Sequence, residues 1–262
     1  MAFVIGTWNI NSVRLRESLV CQLLREQDPD ILCLQECKAL VEQIPTESFS
    51  SLGYNFLAAC GQKSYNGVAI LSKKQFANTE SIDFANLGDA RHIKVQLTNG
   101  ICVHNVYVPA GGDIPDCHRN PKFKQKLDYV EAMRDRFESD KPTRSVLVGD
   151  LNIAPGAEDV WSHKQLLSVV SHTPIEVEHL SNMQAAGDWV DIIRQDRPTG
   201  PLFSWWSYRA RDWQASNRGR RLDHIWATPD LAVNAHSSFI LKAARDWPSP
   251  SDHAPVFASF DL

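Results

Sequence analysis

The sequence lacks the features that most quickly narrow a function. Its six cysteines include no Cys-x-x-Cys pair, and no paired Cys/His spacing suggests a zinc site, so dithiol redox chemistry and structural zinc are not expected. Cys33 and Cys102 lie within apolar runs and read as core fillers. No apolar stretch is long enough to span a bilayer, and no charged segment with an apolar leader precedes the strand-like run Phe3-Val4-Ile5. No membrane partner is expected, and cytoplasmic residence is the expected setting. There is no basic excess either: 27 basic against 31 acidic residues leave a formal charge of −4. Any attraction for nucleic acid must therefore be local. Repeats, low-complexity tracts and long linkers are also missing.

What remains is an ordinary globular composition, 43% hydrophobic and 22% charged over 262 residues, enough to bury a core without disulfides. One catalytic domain over 1–262 is expected. Short apolar runs predict strands over Phe3–Trp8, Asp30–Leu34, Gly67–Leu71, Ile93–Leu97, Ile101–Val108, Ser145–Val148, His224–Ala227 and Pro255–Phe260. Asn99-Gly100 between two of them is a type I′ hairpin signal. A helical period marks Asn120–Glu138 through Phe123, Leu127, Val130, Met133 and Phe137. Leu15, Leu19, Leu23 and Leu24 give the same signal after Ser12, a good N-cap. Weaker helices are expected over Asp159–Val170 and Val177–Ala186. Hairpin-linked strands with helices between them predict an α/β architecture of two packed sheets flanked by helices.

Polar residues recur where the apolar runs end. Asn9, Glu36, Asp150, Asn152, Asp223, Asp252 and His253 are drawn from almost the whole chain. Singly, each has a structural reading: Asp150 and Asn152 as turn formers, Glu36 as a surface charge, His253 as a loop cap. Together, carboxylates, amides and an imidazole are the groups that metal-assisted hydrolysis at phosphorus requires. The segment Trp205–Asp223 adds a local basic patch. Arg209, Arg211, Arg218, Arg220 and Arg221 stand against Asp212 and Asp223 (5 − 2 = +3), interleaved with Trp205, Trp206, Tyr208 and Trp213. Arginines with aromatics suit phosphate contacts and base or sugar packing; a buried aromatic cluster beneath a solvated arginine face is the competing reading.

Several strings, in order, resemble the exonuclease III family of the endonuclease/exonuclease/phosphatase superfamily. They are Thr7-Trp8-Asn9-Ile10-Asn11-Ser12, Leu34-Gln35-Glu36, Tyr65-Asn66-Gly67-Val68-Ala69-Ile70 and Asn105-Val106-Tyr107-Val108-Pro109. Gly149-Asp150-Leu151-Asn152-Ile153-Ala154-Pro155, Phe203-Ser204-Trp205-Trp206, Arg221-Leu222-Asp223-His224 and Ser251-Asp252-His253-Ala254-Pro255 complete the series. The resemblance implies a four-layer αββα sandwich with two mixed or mostly antiparallel sheets. It also implies an Mg²⁺-dependent phosphodiesterase, with Mn²⁺ as substitute, acting as a monomer on double-stranded DNA. The expected substrates are 3′ ends, abasic sites and 3′-phosphates.

The same resemblance implies roles by residue. Asn9, Glu36 and Asp252 approach the ion, and Asp150, Asn152 and His253 border it. Asp150 orients and deprotonates the attacking water, and Asn152 holds that water or the phosphoryl oxygen. His253 donates to the same oxygen while Asp223 fixes its ring, although a His253–Asp223 pair that activates water is an open alternative. Tyr107 brings its phenol to the phosphate, as donor or as ionised base. Arg14, Lys63, Tyr65, Asn66, Trp205, Arg218, Arg220 and Leu222 are expected at the DNA. Three positions depart from the pattern: Ser207 replaces an aspartate common in bacterial relatives, Arg220 an aromatic found in some, and Ala110 an amide. They bear on which lesion is preferred. Other expectations weighed are a superfamily phosphoesterase of the phosphoinositide phosphatase or sphingomyelinase type, and a DNA-binding module without catalysis.

Overall fold

The structure is a computed structural model, and it describes residues 2–262. One sheet contains β1 (Phe3–Asn9), β2 (Ile31–Gln35), β3 (Phe56–Cys60), β4 (Val68–Ser72), β13 (Ala235–Ile240) and β14 (Val256–Phe260). The other contains β5 (Phe76–Glu80), β6 (His92–Leu97), β7 (Cys102–Tyr107), β8 (Ser145–Asp150), β9 (Val190–Asp191) and β12 (Asp223–Ala227). Their orders are β13-β14-β1-β2-β4-β3 and β5-β6-β7-β8-β12-β9, both mixed, since β1 runs parallel to β2 and β7 to β8. A two-stranded ribbon of β10 (Trp205–Trp206) and β11 (Gly219–Arg220) stands apart.

Three buried apolar layers make the four-layer sandwich. Phe3, Ile5, Ile31 and Cys33 meet Val103, Val146, Val148 and Ile225 between the sheets. Trp8, Leu32 and Leu34 pack outward on the helix Glu17–Gln27. Val106, Leu147 and Trp226 pack outward on the helices Pro121–Ser139 and Pro174–Ala186. Because side chains alternate along a strand, the inward series continue past the apolar layer into polar residues. Asn9, Gln35, Tyr107, Asp150 and Asp223 occupy the last inward positions of β1, β2, β7, β8 and β12. Just beneath them, Gln35 donates to Asn105 Oδ1 (2.7 Å) and Thr7 Oγ1 (2.9 Å), joining the two sheets. The fold therefore gathers distant polar residues at one end of the inter-sheet space.

Local expectations fail in three places. The helix after Ser12 begins only at Glu17, because Ser12 has φ of +90° and turns the chain instead. The Asn99-Gly100 hairpin has positive φ at Gly100 alone (+86°) and a bond from Gly100 N to Leu97 O. That is a type I turn closed by a left-handed glycine rather than type I′. Asp159–Val170 is not a continuous helix: a 3₁₀ turn Ala157–Asp159 and a short helix His163–Leu166 replace it, since Asp159 is held by Arg221 and Arg194. Cys33 is buried, whereas Cys102 is only half-buried.

Candidate active site

The polar end of the inter-sheet space opens into a cleft of ≈ 640 Å³. Glu36, Tyr107, Asp150, Asn152, Asp252 and His253 are among the residues that line it. Asp150 reaches its place because Gly149 permits β7 to approach closely. Gly149 has φ of +141°, and a Cβ there would lie 1.9 Å from Val106 O.

Asp150 is buried and heavily bonded. Its Oδ2 accepts from Asn9 Nδ2 (2.9 Å) and Asn152 Nδ2 (3.1 Å), and its Oδ1 from Asn152 N (2.9 Å). His253 Nε2 lies 3.7 Å from the same Oδ2, while His253 Nδ1 bonds Asp223 Oδ2 at 2.8 Å. Ser204 donates to that Asp223 oxygen at 2.6 Å, and Ser204 Oγ accepts from Asp223 N. Asp223 Oδ1 is buried without a hydrogen-bond partner. Ser251 Oγ donates to Asn9 O and accepts from His253 N, and Trp8 Nε1 donates to His253 O. The imidazole is thus fixed through its ring and its backbone.

These contacts order the ionisations. Burial raises Asp150 to about 7 against the opposing pull of His253, with Asp223 and Glu36 adding to the rise. Burial alone would depress His253, but Asp223 and Asp150 overcome it and raise the ring to about 10. Between those values Asp150 is anionic and His253 cationic. Tyr107 is held well above its ordinary range by burial, then by Glu36 and Asp150. Its phenol is therefore kept protonated.

Glu36 is half-buried, which favours its neutral form, yet the Lys38 charge and hydrogen bonds from Lys38 and Asn9 win and hold it low. Asn9 Nδ2 donates to Glu36 Oε1 (2.9 Å), and Lys38 Nζ lies 2.8 Å from Glu36 Oε2. Asn9 therefore faces the carboxylates with its nitrogen, and its Oδ1 accepts from Asn11 N (3.1 Å). Asp252 accepts from Trp205 Nε1 at 2.9 Å.

Whether a cation fits can be judged from the donors. Asp150, Asp223 and His253 offer ligand atoms within 4.8 Å of one another. His253 Nδ1 is nevertheless committed to Asp223, and the ring is cationic. Glu36 and Asp252 line the same cleft and add oxygen donors to it. Four carboxylates (Glu36, Asp150, Asp223, Asp252) face Lys38 and His253, leaving 4 − 2 = 2 negative charges and oxygen donors that suit a hard ion.

The expected DNA contacts divide. Trp205, Arg218, Arg220 and Leu222 line the same cleft, together with Arg209. Arg218 lies over Trp161 (4.6 Å) and Arg220 over Trp205 (5.2 Å). Arg14 lines a separate depression with Leu15 and Arg25. Lys63 and Tyr65 are exposed and line no part of the cleft, and Asn66 is buried, donating to Gln62. Arg221 leaves the basic patch altogether: it is buried between Asp159 (2.8 Å) and Asp191 (2.6 Å). Ser204 and Ser251 stand inside the motif strings without a role assigned from sequence, and Lys38 stands outside them, because a serine or lysine carries no periodic signal of its own.

The sequence profile of the endonuclease/exonuclease/phosphatase family matches residues 6–253. The chain is 31% identical to exodeoxyribonuclease III of Haemophilus influenzae, over 97% of this chain and 98% of that one. An AP endonuclease from Archaeoglobus fulgidus superposes with a TM-score of 0.92 at 32% identity, covering 99% of this chain and all of the other. A 3′ phosphatase from Neisseria, bound to a product DNA hairpin, superposes with a TM-score of 0.91, 32% identity and the same coverage. This chain belongs to the endonuclease/exonuclease/phosphatase family.

Proposed function

We propose that this chain is a divalent-metal-dependent DNA repair phosphodiesterase that acts on double-stranded DNA at 3′ ends, 3′-phosphates and abasic sites. It works as a single-domain monomer, with Mg²⁺ as the resident ion and Mn²⁺ as its substitute. The observation that carries the reading is one cleft lined both by a carboxylate–imidazole centre and by arginines stacked on tryptophans. The first group suits attack on phosphorus, and the second suits a nucleic-acid backbone. Relatives at about a third identity act on DNA by name, which favours this substrate over an inositol phosphate or sphingomyelin.

Glu36 and Asp252 would hold the ion, with Asn9 keeping Glu36 and Asp150 in register. When bound, the dication supplies polarisation of the scissile phosphate and charge neutralisation at the leaving oxygen. Asp150 accepts the proton of the attacking water, which Asn152 helps to orient. Protonated His253 donates to the phosphoryl oxygen as charge builds there, and Asp223 and Ser204 hold its ring in place. Tyr107 donates its phenolic hydrogen to the same group. Trp205, Arg209, Arg218, Arg220 and Leu222 receive the strand beside the scissile bond.

A substrate panel tests this directly: an internal abasic duplex, a recessed 3′ end, a 3′-phosphate and an inositol phosphate, each with EDTA, Mg²⁺ or Mn²⁺. DNA cleavage that stops in EDTA and returns with Mg²⁺ is expected. Undiminished cleavage in EDTA, or a preference for the inositol phosphate, overturns the proposal.

A further inference from the structure

Lys126 and Glu176 form an ion pair at 2.5 Å, and neither side chain has any exposed surface. They come from the helices Pro121–Ser139 and Pro174–Ala186, on the outer layer behind the cleft. A buried ion pair is a poor device for stability alone, since apolar side chains of similar size do as well. The partners of this pair point elsewhere.

Lys126 Nζ also donates to Asn152 O (2.8 Å) and, more weakly, to Ala110 O (3.4 Å). Its three donors thus meet three acceptors, two of them backbone carbonyls of cleft-lining segments. Asn152 needs such a hold, because its backbone is left-handed, with φ of +54°. Space for the lysine is made by Gly111, where a Cβ would lie 2.8 Å from Lys126 Cδ. Glu176, in turn, accepts from Ser171 N with both oxygens (2.9 Å each) and from Thr173 N and Oγ1. Ser171 Oγ then accepts from Arg220 Nη1 at 2.7 Å, and the adjacent Val170 O accepts from it at 2.9 Å. One buried pair is therefore tied both to Asn152 and, through Ser171, to Arg220, two residues that line the cleft.

We infer that Lys126 and Glu176 are positioning residues for the reaction, setting the Asn152 turn and the Arg220 guanidinium from beneath the cleft. The inference rests on the phosphodiesterase reading for its kinetic consequences, though not for its geometry. The pair acts through backbone carbonyls and a serine, and neither residue touches substrate.

The test is the double variant Lys126→Met/Glu176→Met beside the single Lys126→Met. The single variant leaves an unpaired buried carboxylate and should melt well below the parent. The double variant should regain much of that melting temperature. Its kcat on a recessed duplex should still fall more than about tenfold, as expected for a misplaced reactive group, and its half-saturating DNA concentration should rise. The Asn152 side-chain amide resonances of the metal-free protein should also move. If kcat and those resonances recover together with the melting temperature, the pair only supports the fold and the inference is overturned. Should the double variant not fold, the isosteric Glu176→Gln decides: raised half-saturating DNA and a shifted Arg220 guanidinium resonance support it, and parental values for both overturn it. The resonances are read without DNA. A parent chain that cut no DNA would sink the functional reading and leave this one to be judged by its own signal.

Discussion

The catalytic centre and the exposed arginines of the cleft are built by opposite means. At the catalytic centre, Asp150, Asp223 and His253 are buried, each bonded to at least one other member or to a backbone group. Elsewhere in the cleft lining, Arg209 and Arg218 are exposed, and Arg218 lies over the face of Trp161. A preorganised, desolvated centre makes small displacements costly to rate. A solvated arginine rim makes affinity sensitive to salt but forgiving of any one side chain. The comparison teaches that rate and binding should come apart under mutation.

The largest effect should follow from Asp150→Asn, which keeps the size and most hydrogen bonds but removes the proton acceptor. Its single-turnover rate on a recessed duplex is expected to fall by about 10³-fold or more, within the range for loss of a general base. Next comes Asp223→Asn, expected to lower the rate by roughly 10²-fold and to change its pH dependence. In the parent, the rate rises as Asp150 ionises, at or below pH about 7, and falls as His253 loses its proton near about 10. A bound dication moves the rising limb to lower pH. Asp223 raises His253, so removing its charge should move the falling limb to lower pH; a stationary limb would remove His253 as the proton donor. Arg209→Ala with Arg218→Ala should leave the saturated rate near parental while weakening DNA binding. The slope of log affinity against log salt should flatten by about two, one for each lost phosphate contact. Smallest is Ser204→Ala, which frees Asp223 from one donor and should reduce the rate by about threefold to tenfold.

How much of this was legible in the sequence follows from the same contrast. Asn9, Asp150 and Asp223 continue an alternating strand pattern, so the strands that carry them could be read together with them. The missed longer strands, β3, β5 and β13, and the two-residue β9 are the four sheet edges. An edge strand is partly solvated, as Ala235, His236 and Ser237 illustrate, so β5, β9 and β13 have no long apolar run to betray them; β3, apolar from Phe56 to Cys60, is the exception. Arg221 misleads for the converse reason: composition groups it with its neighbours, whereas its partners Asp159 and Asp191 lie far away in sequence. Lys126 reads as the polar face of a helix until Glu176, fifty residues on, is placed against it. Long-range charge pairing has no local signature.

The central claim is that the buried carboxylate–imidazole centre breaks the phosphodiester and the exposed arginines hold the DNA. Saturated single-turnover rate and dissociation constant, measured on one recessed duplex for Asp150→Asn and for the Arg209→Ala/Arg218→Ala pair, test it most directly. The account predicts a crossing: the first variant loses rate at nearly parental affinity, and the second loses affinity at nearly parental rate. Proportional loss of both quantities in both variants would contradict it.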